Sequence, residues 1–203
     1  MVEDILTNQK SLQQSITIGQ EIGYQVSVAY ALKVLGEVAR EQGEGAYLEA
    51  EKYYQESLAV YRKIGDQTRI AHALDKLGLI AFNLEKYAES ENYYRESLTI
   101  FRKIDNRFGI ALALGGLGLI QWAQGGDKLK EAKKSWQQSL SICRETGHRQ
   151  QIAQRLQTLG LIGNNLGEYE EAEKYFQEAL AIFKELNYPH GITLALSGLG
   201  KPR

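Results

Sequence analysis

LGLIAFNLEKYAESENYYRESLTIF, residues 77–101, decides the fold. It reads as the end of one helix at Leu84, a tight turn at Glu85 and Lys86, and a second amphipathic helix from Tyr87. The Leu-Gly pair that opens it recurs at Leu35-Gly36, Leu117-Gly118, Leu159-Gly160 and Leu199-Gly200, so successive glycines stand 42, 40, 42 and 40 residues apart. A fixed period of that size predicts an array of helical hairpins. One hairpin of about 40 residues buries too little apolar surface to fold alone, so neighbours must share a core. That argument makes residues 1–203 one domain.

Working outward, the array contains four complete units, at 24–64, 67–104, 107–146 and 149–186. First helices are expected at 24–42, 67–84, 107–124 and 149–166, second helices at 47–64, 87–104, 129–146 and 169–186. Residues 1–22 align, through Ser15, Ile18, Ile22 and Gly23, with the second helix of the next unit, and residues 189–203 read as a first helix stopped by Lys201-Pro202-Arg203. These ends are either caps or the edges of a longer array; the open face of Ile192, Leu196 and Leu199 favours the latter. Apolar residues return at helical spacing in the second helices: Tyr54, Leu58 and Tyr61; Tyr94, Leu98 and Phe101; Trp136 and Leu140; Phe176, Leu180 and Phe183. Glu51, Lys52, Glu56, Glu173, Lys174 and Glu178 lie on the other face and are expected to be solvated. Gly65-Asp66, Asp105-Asn106, Gly147-His148 and Asn187-Tyr188-Pro189 supply helix stops and caps between units. Within the units short turns alternate with long ones, QGEG at 42–45 and QGGD at 124–127, which accounts for the alternating period.

Composition narrows the function classes. With 24 basic and 25 acidic residues the net charge is -1, leaving no overall attraction toward nucleic acid or an anionic membrane. No apolar run reaches the roughly 18 residues that span a bilayer, and the first residues lack a basic segment leading into an apolar one. The single Cys143 reads as a packed small hydrophobe. The cytoplasm is the expected compartment.

In each unit a Leu is followed three residues on by Leu-Gly, then by a small residue opening the second helix, an aromatic four later and a small residue three after that. In the second unit these are Leu74, Leu77, Gly78, Ser90, Tyr94 and Ser97; in the fourth, Leu156, Leu159, Gly160, Ala172, Phe176 and Ala179. This pattern resembles the tetratricopeptide repeat over essentially the whole chain, in the 40–42 residue variety found in kinesin light chains and in bacterial regulators and signalling ATPases. The resemblance implies an all-α, right-handed superhelical solenoid of antiparallel hairpins. It also implies that the first helices line a concave groove that holds extended peptides or partner helices. Gly78 and its equivalents let the helices approach while the aromatic fills the space beside them.

Positions at fixed offsets from the Leu-Gly glycine then face the groove. They are Tyr30, Lys33, Glu37, Arg40 and Glu41; His72, Asp75, Leu79, Phe82 and Asn83; Leu112, Gly115, Leu119, Trp122 and Ala123; and Gln154, Gln157, Leu161, Asn164 and Asn165. Leu79, Leu119 and Leu161, flanked by Phe82 and Trp122, read either as a solvent-facing interaction strip or, one position out of phase, as packing between units. The asparagines suit the backbone of an extended peptide. Gly109, Gly115, Gly116 and Gly118 make the third unit's first helix the softest; Gly115 widens the groove beside Trp122 for a bulky partner side chain, or the glycines serve closer helix packing at Gly116. The matching places for a carboxylate-holding Lys and Asn clamp carry His72, Asp75, Leu79 and Asn83, so chaperone-tail binding is not expected.

No glycine-rich loop follows a strand, and His72, His148 and His190 stand in different units without metal-ligand spacing. No carboxylate pair gathers with a nucleophile or base. The basic stretch Asp127 to Arg149, net +3 from six cations and three acids, reads as a secondary contact for an acidic partner or, the stronger reading, as a solvated convex face. The expectation is a non-catalytic protein- or peptide-binding scaffold without cofactor or metal. Its rivals are the sensor segment of a larger signalling ATPase or protease, and end-to-end self-association.

Overall fold

The structure is a computed structural model that describes the backbone of residues 2–200 and side chains from residue 9 to 200. The stop expected at 201–203 lies outside the described residues. Among the described residues all regular structure is helical: α1 Val2–Glu21, α2 Gln25–Glu41, α3 Tyr47–Ile64, α4 Gln67–Asn83, α5 Tyr87–Lys103, α6 Arg107–Gln124, α7 Lys128–Glu145, α8 Arg149–Leu166, α9 Tyr169–Glu185 and α10 Pro189–Leu199. A short 3-10 turn, Glu44–Ala46, lies in the first long turn. The fold is an all-α solenoid of helical hairpins.

The helices group into two compact units, residues 1–105 and 106–203. In the first, α2 lies against α1 and α3, and α4 against α3 and α5; in the second, α6 to α10 each pack on the next, and α10 also reaches α8.

Local chemistry fixes where each helix begins and ends. Asp66 accepts from Arg69 N at 2.9 Å and Asn106 from Gly109 N at 2.8 Å, so each caps a first turn with a side-chain oxygen. Pro189 opens α10, where its fixed φ suits the first turn and no N–H is needed. At the far ends Gly65, Gly147 and Gly167 adopt left-handed backbone, and Glu85, Asp105 and Asn187 do the same with a side chain attached.

The hairpins close on glycine. A Cβ on Gly36 would stand 2.9 Å from the Tyr54 ring, one on Gly78 2.9 Å from Tyr94, one on Gly118 2.6 Å from Trp136 and one on Gly160 2.7 Å from Phe176. Those distances are below contact, so the missing side chain is what admits the ring. Three hairpins add a buried hydroxyl latch between second and first helix. Ser57 Oγ donates to Ala29 O (2.8 Å), Ser97 to Ala71 O (2.9 Å) and Ser139 to Ala111 O (2.6 Å), while the fourth hairpin has Ala179 there. The apolar stripe of the second helices is buried throughout except at Leu180, which is half-buried. Glu51 departs from expectation: it is buried, because Lys86 at the start of α5 reaches both its carboxylate oxygens at 2.9 Å.

Candidate functional site

On the first helices most of the candidate positions keep some exposure, and two of them, Asp75 and Gly115, do not. On α2, Tyr30 is 57% exposed, with Lys33 Nζ 5.5 Å from its ring centre. Lys33 also pairs with Glu37 at 3.2 Å, and Arg40 with Glu41 at 3.4 Å. The α2 face is therefore aromatic and charged, with its charges balanced locally.

On α4, Leu79, Phe82 and Asn83 are half-buried, and the Phe82 ring lies 5.6 Å from that of Tyr87. His72 is half-buried with its ring edge-on to Phe101 at 4.9 Å. Burial holds its pKa below the ordinary histidine value, and the Lys76 and Lys33 charges push the same way. Asp75 is a correction: the expectation put it on the open face, and the structure buries it. Its charge adds to burial in raising the Tyr94 phenol.

In the second unit Leu112, Leu119 and Trp122 of α6 are half-buried and Ala123 is exposed. On α8, Gln154, Gln157, Leu161 and Asn164 are half-buried and Asn165 is exposed. None of α6, α8 and α10 contains an acidic residue. This face is apolar and amide-bearing, whereas that of the first unit is charged. Leu79, Leu119 and Leu161 are thus neither sealed into the interior nor fully solvated.

Gly115 is the second correction. It is buried rather than open, and a Cβ there would stand 3.4 Å from the Arg155 guanidinium and 3.5 Å from the Trp136 ring. Sequence reading passed over Arg155 altogether. Its guanidinium carbon lies 4.9 Å from the Trp136 ring centre, and its Nε donates to Ser139 Oγ at 3.0 Å. Ser139 in turn donates to Ala111 O, so side chains of α8 and α7 hold the backbone of α6. One signal was available: the equivalent first-helix positions are Ala31, Ala73, Ala113 and Ala195, and an arginine in a column of alanines has to be accommodated. Cys143, buried nearby, replaces the aromatic that Tyr61, Phe101 and Phe183 supply. Burial pushes its thiol up, while Arg155 and Ser139 act the other way.

The basic stretch of α7 is largely neutralised within its unit. Lys128 pairs with Glu131, Lys133 with Glu168 and Glu171, Arg144 with Glu178 and Arg149 with Glu185. Among the described residues no three His, Cys, Asp or Glu side chains gather as metal ligands. No described helix is long and apolar enough to cross a membrane.

No curated protein matches the chain. Among solved structures it is similar to BtubC from P. vanneervenii, over 97% of this chain and 82% of that one, at 16% identity and a TM-score of 0.81. It is similar to the Signal Transduction ATPase with Numerous Domains protein with a tetratricopeptide repeat sensor from Pyrococcus horikoshii, over 86% of this chain, at 21% identity and a TM-score of 0.74. The Rap conjugation gene regulator of plasmid pLS20, in complex with the Phr* peptide, matches over 89% of this chain at 19% identity and a TM-score of 0.72. The chain spans only 26% of the ATPase and 51% of the Rap regulator. At such identities the likeness concerns the fold. The model of the tetratricopeptide repeat matches residues 27–103, 69–128 and 110–185. With glycine-seated aromatics in four successive hairpins and that match across most of its length, the chain belongs to the tetratricopeptide repeat family.

Proposed function

We propose that this chain is a non-catalytic scaffold that holds a protein or peptide partner on the outward faces of its first helices. The observation that carries the reading is the α6 and α8 face of the second unit. Leu112, Leu119, Trp122 and Leu161 keep part of their apolar surface in solvent, and Gln154, Gln157 and Asn164 of α8 are half-buried amides able to bond a peptide backbone. Burial of the leucines and the indole supplies affinity, and the amides fix the direction of the bound chain. The Rap regulator, of similar fold, was solved with a peptide, which supports a peptide as the partner. A face without acidic residues favours a neutral or acidic segment over a basic one. The scaffold's single, unpaired cysteine is consistent with work in the cytoplasm.

The test is panning of a displayed random-peptide library against the intact chain, with Leu119→Asp/Trp122→Ala as the comparison. Peptides that bind the intact chain are expected to lose binding to the variant at least tenfold while its melting temperature stays nearly unchanged, at about the loss expected for removing two anchors. A large fall in melting temperature instead would assign both residues to the core and end the proposal.

A second reading has one observation in its favour, the likeness to an ATPase described with a repeat sensor. Here the same faces sense a ligand on behalf of catalytic machinery encoded elsewhere. Sequencing the flanking gene decides it: an ATPase or protease domain in the same reading frame supports the sensor role, and a free-standing gene removes it.

A further inference from the structure

Two ion-pair rungs join successive second helices in each unit, and they behave differently when the units are compared. Adding 42 and 40 residues carries the two hairpins of the first unit, from residue 24 on, onto their equivalents in the second. The outer rung keeps its polarity: Arg62 of α3 meets Glu96 of α5 at 2.8 Å, and Arg144 of α7 meets Glu178 of α9 at 2.7 Å. The inner rung is reversed. Glu51 of α3 meets Lys86 at the start of α5 at 2.9 Å, whereas Lys133 of α7 meets Glu168 and Glu171 at the start of α9 at 2.6 and 2.5 Å.

The rungs also differ in depth. All four side chains of the outer rung are about half exposed, while one member of each inner pair lies deeper, Glu51 at 12% and Lys133 at 16%, facing Lys86, Glu168 and Glu171 at 40%, 41% and 44%. A mispaired charge costs more where water is scarce. Burial works against the Lys133 ammonium, yet Glu168 and Glu171 hold its pKa above the ordinary lysine value.

We propose that the reversed inner rung is a pairing code on the stacking surface of the hairpins, so that each surface accepts only a hairpin of matching polarity, from its own chain or from a second copy. Hairpins built on one template are prone to exchange, because the apolar contacts of one serve another almost equally well. The outer rung offers no discrimination, since an Arg meets a Glu whenever α3 or α7 is set beside α5 or α9. The inner rung does discriminate. Stacking α3 beside α9 sets Glu51 against Glu168 and Glu171, with no cation in place of Lys86. Stacking α7 beside α5 sets Lys133 against Lys86, with Glu89 offsetting only part of the repulsion.

The experiment erases the reversal while keeping the inner pair between α3 and α5 attractive; it gives up only the 4.0 Å contact of Lys86 with Glu89 at the start of α5. Glu51→Lys/Lys86→Glu gives the first unit the polarity of the second. Wild type and variant are unfolded in urea, refolded over a range of protein concentrations, and analysed by size-exclusion chromatography with light scattering. The melting temperature of the variant is expected to stay within a few degrees of wild type, as for exchange of one pair for another. Its ratio of natively eluting chains to exchanged oligomers is expected to fall about tenfold at the highest concentration, as repulsive mispairs become attractive. Arg62→Glu/Glu96→Arg reverses the outer rung instead and is expected to refold as well as wild type. Equal recovery of wild type and the inner-rung variant at all concentrations overturns the proposal, as does an equal loss in the outer-rung control. Should Glu51→Lys/Lys86→Glu fail to fold, Lys133→Glu/Glu168→Lys/Glu171→Lys erases the reversal from the other side and is read in the same way. Failure of both to fold also overturns it, because both keep the inner pair between the second helices attractive.

Discussion

At position 54 the repeat places a tyrosine where the fourth hairpin has Phe176, and both rings are fully buried against the glycine of the facing helix. The buried Tyr54 hydroxyl makes no hydrogen bond of good geometry, and burial, with the Glu37 charge second, pushes its pKa up to about 12 while the nearby Arg40 acts the other way. A buried unpaired hydroxyl costs about 1 kcal/mol or more, so Tyr54→Phe is expected to stabilise the protein by about 1 kcal/mol, read as a higher urea midpoint. Glu85 holds a left-handed φ of 60° where the equivalent Gly167 has 78°. Glu85→Gly relieves that strain and is expected to raise stability by about 0.5–1 kcal/mol, against the opposite sign for Gly167→Ala. His72 supplies a pH dependence. Its folded pKa lies below the unfolded value near 6.5, so its contribution is complete above about pH 6.5 and is lost as pH falls through the folded value. Melting temperature is expected to drop between pH 7 and pH 5, with a shallower drop in His72→Gln.

Helices in this chain are positioned by what they lack. Among Gly36, Gly78, Gly118 and Gly160, an added Cβ makes its closest approach at Gly118, 2.6 Å from the rigid Trp136 indole. Gly118→Ala is therefore expected to destabilise by about 1–3 kcal/mol in urea unfolding, whereas Gly45→Ala, with nothing within 4 Å of its Cβ, is expected to be near neutral. Element boundaries were legible in sequence because their causes are local: Asp66, Asn106, Pro189 and the left-handed glycines act within one turn of the helix end they set. Each expected first or second helix is found within one residue of its predicted limits. The first-helix face was legible only in part: Leu79, Leu119 and Leu161 keep partial exposure, whereas Asp75 and Gly115 do not. Asp75, Gly115, Glu51 and Arg155 were misread or missed because their surroundings come from other helices. Lys86 lies 35 residues beyond Glu51, and Ser139 lies 16 before Arg155. A single-helix pattern carries no information about either.

For the molecule as a whole, 24 basic and 25 acidic residues nearly cancel, and several exposed charges pair between helices of the same unit, as Arg62 with Glu96, Arg107 with Glu145, Arg144 with Glu178 and Arg149 with Glu185. Exposed pairs of this kind contribute about 0–1 kcal/mol each and are screened by salt. Raising NaCl from low to about 1 M is accordingly expected to shift the melting temperature by only a few degrees, while Leu119→Asp/Trp122→Ala abolishes peptide capture at either salt concentration. A strong salt dependence of folding would mean that the pairs matter more than their exposure suggests.

The alternation of short and long turns, together with the reversed inner rung, carries a lesson for anyone who would lengthen this protein. Grafting in a lone hairpin would break the rhythm of the turns and present an inner charge of unmatched sign to its new neighbour. The natural brick is a pair of hairpins, and within it the polarity of the second member has to be chosen to suit the first.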